Sequence, residues 1–225
     1  MLGAVDERTS QLIRFLERNN KLDNTILIFT SDNGSTLWQQ EYNAGWRGKK
    51  ASEYEGGHRV PFLVRWPQRI ARPGSQWHRT VGQTDLLKTF AEIVGANIPD
   101  NAGEDSQSFA SVLLNPLANY ERVPLINHGA HGRFSITDGT WKLILPHKKS
   151  KGRAELYDLS TDPGESKNVI DENKVLASKL QATITKIVCN GRSTPGKAVS
   201  NDTGYWSDLA WMTAAEYEKR HKQEN

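Results

Sequence analysis

The sequence predicts an α/β fold: part of a parallel-sheet layer structure over residues 1–120, a small α+β unit with an antiparallel sheet over 121–190, and an extended tail over 191–225. Three observations carry this. Helix-period and strand-like apolar segments alternate through the first half, the pattern of helices layered on a sheet. The run Ile26 to Thr30 is apolar and β-branched without polar alternation, as suits a strand buried on both faces. Further on, Asp138-Gly139 separates two short strand-like runs and marks a hairpin, hence an antiparallel pair.

The elements follow in order. Leu2, Val5, Thr9, Leu12, Ile13 and Leu16 recur at helical spacing and predict an amphipathic helix over 3–18. Asn19 to Asn24 turn the chain into the Ile26–Thr30 strand. Val60 to Trp66 reads as a second strand, with Pro61 near its start, where a missing N–H is tolerated. A helix opening at Thr84 holds Leu86, Leu87, Phe90, Ala91 and Val94, with Asp85 assigned to its cap and Gly95 to the position after its end. Phe134 to Thr137 and Thr140 to Leu145 flank the Asp138-Gly139 turn, expected as type I′. Leu156 to Leu159 adds a third short strand, and Thr161-Asp162-Pro163-Gly164 is turn chemistry. Val175, Leu176, Leu180, Ile184, Ile187 and Val188 line one side of a last helix. From Asn190 onward the Gly-, Ser-, Asn- and Trp-bearing sequence reads as a tail wrapping the domain.

The most informative stretch is Thr25 to Gly34, TILIFTSDNG. A buried strand ends directly in Asp32, Asn33 and Gly34. In open parallel sheets ligands bind beyond the carboxyl ends of the strands. Asp32 and Asn33 there offer two hard oxygen donors of the kind that calcium or magnesium takes. Asn-Gly is also a hairpin signal. The segment Ser35 to Gly45 that follows lacks period-2 alternation and reads as a long loop carrying Trp38 and Tyr42, and such loops are often functional. Lys50 stands sixteen residues after Gly34 and is followed by Tyr54-Glu55-Gly56-Gly57. Alone, such a lysine is usually a solvated surface residue. The paired glycines permit close backbone approach.

Taken together, these strings resemble the type I sulfatases, the arylsulfatase family. Asn24 to Gly34 is similar to that family's Asp-Asn-Gly metal segment, and Arg47 to Pro61 to its lysine and Glu-Gly-Gly segment. Thr84-Asp85-Leu86-Leu87, Glu155-Leu156-Tyr157-Asp158-Leu159 and Asp162-Pro163-Gly164-Glu165 match later landmarks. The resemblance implies an alkaline-phosphatase-like parallel-sheet sandwich with a carboxy-terminal subdomain. It implies hydrolysis of sulfate monoesters, carbohydrate sulfates among them, and Ca²⁺ (alternatively Mg²⁺) held by Asp32 and Asn33. It makes Lys50 the sulfate-binding lysine, because Lys50 stands four residues before Tyr54; Lys49 is the rival, and Ala51 replaces the family's usual glycine after the lysine. Trp46 and Arg47 are candidates for the pocket rim, with packing as the alternative. In the Asn127–Gly132 segment, read as a loop because of its glycines, His128 and His131 are candidates for substrate contact. His58 is read as a packed residue.

The family's nucleophile, a formylglycine made from Cys or Ser in a Cys/Ser-x-Pro/Ala-x-Arg segment, has no counterpart here. Cys189 is the single cysteine and lies far downstream of the metal motif, with no proline two residues on. The family's first metal-binding Asp pair, two histidines and a lysine are also unmatched. The expected reading is the carboxy-terminal part of a sulfatase, inactive alone, whose partner is the amino-terminal half of the same domain. Two other readings stay open: a non-catalytic remnant or sulfated-glycan binder, and a phosphatase or phosphodiesterase on the same fold.

Composition narrows the classes. The 29 basic and 26 acidic residues leave a net charge of +3, too small to indicate nucleic acid. The basic run His147 to Arg153 reads as a solvated loop. One cysteine excludes an internal disulfide framework. No stretch approaches the roughly 20 apolar residues of a membrane span, and the residues after Met1, acidic and of helical period, do not read as a signal peptide. A periplasmic or extracellular location is implied by the family alone. Apolar content of 36% marks a chain not rich in core, and the seven tryptophans go with carbohydrate sulfates, though aromatics also serve cores.

Overall fold

The computed structural model describes residues 2–36, 43–70, 72–148 and 153–224. The chain divides into two compact units. One comprises residues 1–31, 61–78 and 109–120; the other comprises 32–60, 79–108 and 121–225.

The first unit opens with α1 (Leu2–Arg18), as the periodicity predicts, followed by β1 (Leu27–Thr30). The strand β2 (Phe62–Arg65) pairs with β1, and the short helix α4 (Ala110–Leu114) lies near the end of the unit. Leu22, Trp66, Phe109, Ala110, Val112 and Tyr120 are buried. Two expectations for β1 need correcting. It pairs antiparallel with β2, Phe29 opposite Leu63, and among the described residues no strand pair is parallel. Nor is β1 buried on both faces: Phe29 is 42% exposed and Leu63 59% exposed. The physical reason is the two-stranded sheet itself. Register places Ile28, Thr30, Phe62 and Val64 on one face, where the Phe62 ring meets Phe109 edge-on at 5.9 Å, and leaves Phe29 and Leu63 on the other. The pair is not a tight hairpin, since a 31-residue segment joins its strands.

The second unit is built on a four-stranded antiparallel sheet in the order β3 (Leu125–His128), β4 (Phe134–Asp138), β5 (Trp141–Ile144), β6 (Glu155–Asp158). The β4–β5 turn is shifted from the expected position. Asp138 pairs with Trp141, so Gly139 and Thr140 form the turn. Gly139 has φ +60°, whereas Thr140 is not among the positive-φ residues. That is the type II′ signature rather than type I′, and it spares a β-branched residue the left-handed region.

Side chains alternate across this sheet, and both faces are covered. Ile136, Leu143 and Leu156, paired across the strands, point to α5 (Lys174–Asn190), where Ala177, Leu180, Ile184 and Val188 are buried against them. Leu209, Met212 and Tyr217 complete this core. The last two belong with α6 (Ala214–Glu224) or its approach, so the tail is helical at its end rather than extended throughout. Ala-Ala-Glu-Tyr-Glu-Lys supplies strong helix formers there. Val175, expected on the apolar side of α5, is exposed. On the sheet's other face lie Thr137, Lys142 and Tyr157 in one cross-strand row, and Ser135, Ile144 and Glu155 in the next. The unit also contains α2 (Glu55–His58) and α3 (Leu86–Val94), the latter ended by Gly95 at φ +67° as expected. Asp85 does not cap α3 in the usual way. Fully buried, it accepts from Gly82 N and pairs with Arg122 through two 2.8 Å contacts.

Candidate functional site

The three segments singled out in the sequence are stitched together through their backbones. Gly34 N donates to Gly57 O at 3.0 Å, Lys50 N to Ser35 O at 2.8 Å, and Gly56 N to Arg47 O at 2.7 Å. Asn43, a buried residue, donates Nδ2 to both Gly48 O and Gly56 O at 3.0 Å. The Asp32–Ser35 turn, the Lys49–Lys50 loop and the Glu55–Gly57 turn therefore form one connected layer. The glycines are required by contact. A Cβ on Gly34 would stand 1.8 Å from Gly56 O, and one on Gly57 2.2 Å from Ser52 O.

Within this layer Asp32 is exposed, Asn33 half-buried with Nδ2 donating to Gly34 O at 3.0 Å, Lys50 exposed and Lys49 half-buried. Lys49 N donates to Ser52 Oγ at 3.1 Å. Asp32 and Asn33 carry oxygen donors of the right hardness for Ca²⁺ or Mg²⁺, and they fit such an ion as two members of a larger ligand set. Among the described residues there is no cluster of three or more His, Cys, Asp or Glu that could hold one. Ala51, where the sequence departs from the expected glycine, has φ +78°. The backbone at this position thus keeps a conformation that favours glycine.

The layer rests on the polar face of the small sheet, and its residues dock on partners from the β3–β4 turn, β6 and β5. Ala51 O accepts from Ala130 N at 2.9 Å. Glu53 pairs with the buried Arg133 at 2.9 Å. Tyr54 donates its hydroxyl to Glu155. Glu55 pairs with Lys142 at 2.9 Å. Arg133 also binds Glu155 at 2.8 Å and the carbonyls of Leu145 and Arg153. Burial would raise the Glu155 carboxyl, but hydrogen bonds from Tyr157 and Arg133 and the charges of Arg133 and Arg47 hold it below the usual range. The Tyr157 hydroxyl, buried and bonded to Glu155, is raised instead.

The remaining candidates divide between packing and exposure. Arg47 Nη1 donates to Tyr157 Oη at 2.7 Å and Glu165 O at 3.0 Å and pairs with Glu155 at 3.3 Å, while its guanidinium lies 3.9 Å from the Tyr54 ring centre. It is an anchor of the layer, and it also lines a depression of about 400 Å³ with Gly45, Asp162, Gly164, Glu165 and Ser166. The half-buried Trp46 is covered by the Arg59 guanidinium at 4.0 Å. His128 and His131 are both exposed. His128 ends strand β3 rather than lying in a loop, and its ring packs on Phe134 at 5.4 Å. His131 lies in the turn that holds Ala130 against Ala51. His58 is packed, as expected. Burial, helped by the Lys142 and His128 charges and opposed by Glu55, lowers it to about 4. In the basic run, His147 is buried 3.6 Å from Asp208, while residues 149–152 lie outside the described residues, as does the Trp38 and Tyr42 part of the long loop.

Sequence reasoning passed over Arg133 and Lys142 and named Glu155 and Glu165 only within family landmarks, without a role. A signal for Lys142 was present: it is the one charged residue in the run Trp141 to Leu145, and a charge inside a strand of a covered sheet needs a partner.

The chain is similar to known proteins. The sulfatase family profile matches residues 1–96. The N-acetylgalactosamine-6-O-sulfatase of Bacteroides thetaiotaomicron is 29% identical over 208 residues, spanning 81% of this chain and 40% of that protein. Human arylsulfatase A is 31% identical over 75% of this chain and 38% of its own length. The chain thus spans two fifths or less of the length of these curated relatives. Among solved structures, a sulfatase of the Bacteroides thetaiotaomicron locus for metabolism of multiple glycosaminoglycans superposes with TM-score 0.73 and 29% identity, over 81% of this chain and 42% of its own. The protein i-CgsB, solved in complex with k-i-k-neocarrahexaose, gives TM-score 0.73 and 28% identity over 83% of this chain and 41% of its own. The fold is the alkaline-phosphatase-like α/β fold of these structures.

Proposed function

We propose that this chain, which belongs to the type I sulfatase family, supplies the carboxy-terminal share of an active site that hydrolyses sulfate monoesters of carbohydrates. The observation that carries the reading is the backbone-bonded layer joining Asp32–Ser35, Lys50 and Glu55–Gly57. It holds two oxygen donors and a lysine on one rigid support. In this reading Asp32 and Asn33 furnish two oxygens to a calcium ion, which when bound supplies positive charge to the sulfate oxygens. Lys50 places its ammonium on the same anion and stabilises charge that grows on the oxygens as the ester bond breaks. Trp46, Arg47, His128 and His131 contact the remainder of the substrate. The names of the relatives, an N-acetylgalactosamine-6-O-sulfatase and an N-acetylglucosamine-6-O-sulfatase, support a sulfated sugar as substrate. Their length supports a complementary segment bearing the formylglycine nucleophile and the other metal ligands. The periplasm or cell exterior is the compartment that goes with this reading.

The test is turnover of an aryl sulfate and an aryl phosphate. Residues 1–225 alone are expected to show none, with or without calcium, because catalytic groups that act as a unit lose most of their effect together. Joined to a formylglycine-bearing segment of a relative, the chain is expected to hydrolyse the sulfate in preference to the phosphate. Lys50→Ala is then expected to lower kcat by roughly 10²–10³-fold. Preference for the phosphate, or full activity in Lys50→Ala with loss in Lys49→Ala, would refute the respective assignment.

A further inference from the structure

We propose that Lys142 is a positioning residue for the site: clasped between Glu55 and Glu165, its ammonium fixes the Glu-Gly-Gly turn, and through that turn the backbone of Gly34, Ser35 and Lys50. The proposal rests on the functional reading above for its consequence in catalysis, but its structural content is independent of it.

Lys142 lies in the second position of β5, and its side chain is 1% exposed. An ammonium so placed is costly unless carboxylates surround it. Two do, each 2.9 Å from Nζ: Glu55 Oε1 and Glu165 Oε1. Neither belongs to the sheet. Glu55 opens α2, and Glu165 closes the Asp162–Glu165 turn after β6. Lys142 therefore binds two loops to the sheet rather than one strand to another. The clasp is closed by a third contact, since Glu165 Oε2 accepts from Glu55 N at 2.7 Å. Glu165 is fully buried and holds φ +53°, a conformation unusual for a residue with a side chain. Arg59, 3.4 Å from Glu55, adds a second positive charge, so the cluster holds two carboxylates and two cations. Burial and Lys142 act unequally on the two acids. Burial raises both, but the charge and hydrogen bond of Lys142 prevail at Glu55, which lies below the usual range, and not at Glu165, which lies above it.

From Glu55 the connection to the site is short and stiff. Two residues on, Gly57 O receives Gly34 N, and Gly56 O receives Asn43 Nδ2. Ser35, next to Gly34, receives Lys50 N. Cβ atoms at Gly34, Gly56 or Gly57 would all fall within 2.2 Å of a neighbour, so these turns have no slack in which a displacement of Glu55 could be absorbed.

Amide hydrogen exchange on the 225-residue chain tests this. Lys142→Met keeps the aliphatic stem and removes the charge; Glu165→Gln keeps the shape and weakens the clasp. In both, the Gly34, Lys50 and Gly56 amides are expected to exchange at least about tenfold faster, while those of β4 and β5 stay within about twofold of wild type. Unchanged exchange at Gly34 and Lys50, or equal acceleration throughout the sheet, would overturn the proposal; if Lys142→Met does not fold, Glu165→Gln decides alone. Turnover separates this from the functional reading. If the chain completed with a formylglycine-bearing segment is inactive with Lys142 in place, the functional reading fails and the exchange result stands. If it is active, Lys142→Met is expected to lower kcat about tenfold with KM within about twofold, and an unchanged kcat overturns the positioning role.

Discussion

At the scale of single residues, backbone geometry around the lysine loop explains more than side-chain chemistry does. Gly56 and Gly57 were legible as loop-shaping residues, because paired glycines in a polar segment imply close approach. Why Gly34 is a glycine was not legible, since the Gly56 carbonyl that excludes a Cβ comes from 22 residues away. Gly34→Ala is expected to destabilise the second unit by about 1–3 kcal/mol through overpacking, read as a lower urea midpoint. Ala51 offers the opposite case. Its φ of +78° costs a residue with a side chain about 1–2 kcal/mol, offset in part by the lower entropy of its unfolded state. Ala51→Gly is expected to raise stability by about 0.5–1 kcal/mol in urea unfolding. A decrease would show that the loop is held by something other than the left-handed turn. Asp32 and Asn33 stand out as candidate metal ligands by their place after an apolar run. Lys50 is preferred to Lys49 by its spacing to Tyr54, and the loop's register rests on contacts such as that of Lys50 N with Ser35 O.

At the scale of elements, α1, α3 and α5 were readable because apolar periodicity over nine to seventeen residues is redundant. β3, α4 and α6 were missed. The first two span only four or five residues, too few for a period to emerge, and α6 is polar on most of its surface. The sheet's second, polar face was hidden for another reason: its occupants Arg133, Lys142 and Glu155 look like surface residues until the segment carrying Glu53, Tyr54 and Glu55 covers them. This face also sets a pH dependence. His58 falls from 6.5 to about 4 in the folded chain, so its neutral form is favoured there. The stability it contributes is complete above about pH 6.5 and is lost as pH falls toward about 4, because the unfolded chain takes up the proton first. Glu55, also lowered, adds loss at the acid end; Glu165, raised, acts the opposite way, its contribution being lost as pH rises. His58→Gln is expected to reduce the stability lost between pH 7 and pH 5 by about 2 kcal/mol, measured by urea unfolding at the two pH values. Parallel pH curves for wild type and variant would rule out His58 as the group.

At the scale of the whole molecule, the α/β class was legible from the alternation of periods, but strand direction was not. Parallel and antiparallel pairing differ in which neighbours a strand finds, and β1 finds β2. The result is a sheet face bearing Phe29 and Leu63, together with Phe15 and Leu12 exposed on α1. Apolar surface of this kind favours self-association. Leu63→Lys is expected to lower light scattering at high protein concentration while leaving the melting temperature within about 2 °C, since a side chain already outside the core contributes little to it. A large fall in melting temperature would show that Leu63 is covered in solution. None of the described helices is long and apolar enough to cross a membrane.

The docking of Ala51, Glu53, Tyr54 and Glu55 on partners spread across the sheet fixes the length of the segment. Ala51 meets Ala130, Glu53 meets Arg133, Tyr54 meets Glu155 and Glu55 meets Lys142, so each residue of the segment is matched to its own partner. One residue inserted after Ser52 would offer Glu53 to the wrong receptor and every later residue with it, just as a key cut one notch out of place fails at every pin. A change of length between Lys50 and Glu55 should therefore disturb all of these contacts at once, whereas a substitution removes only its own.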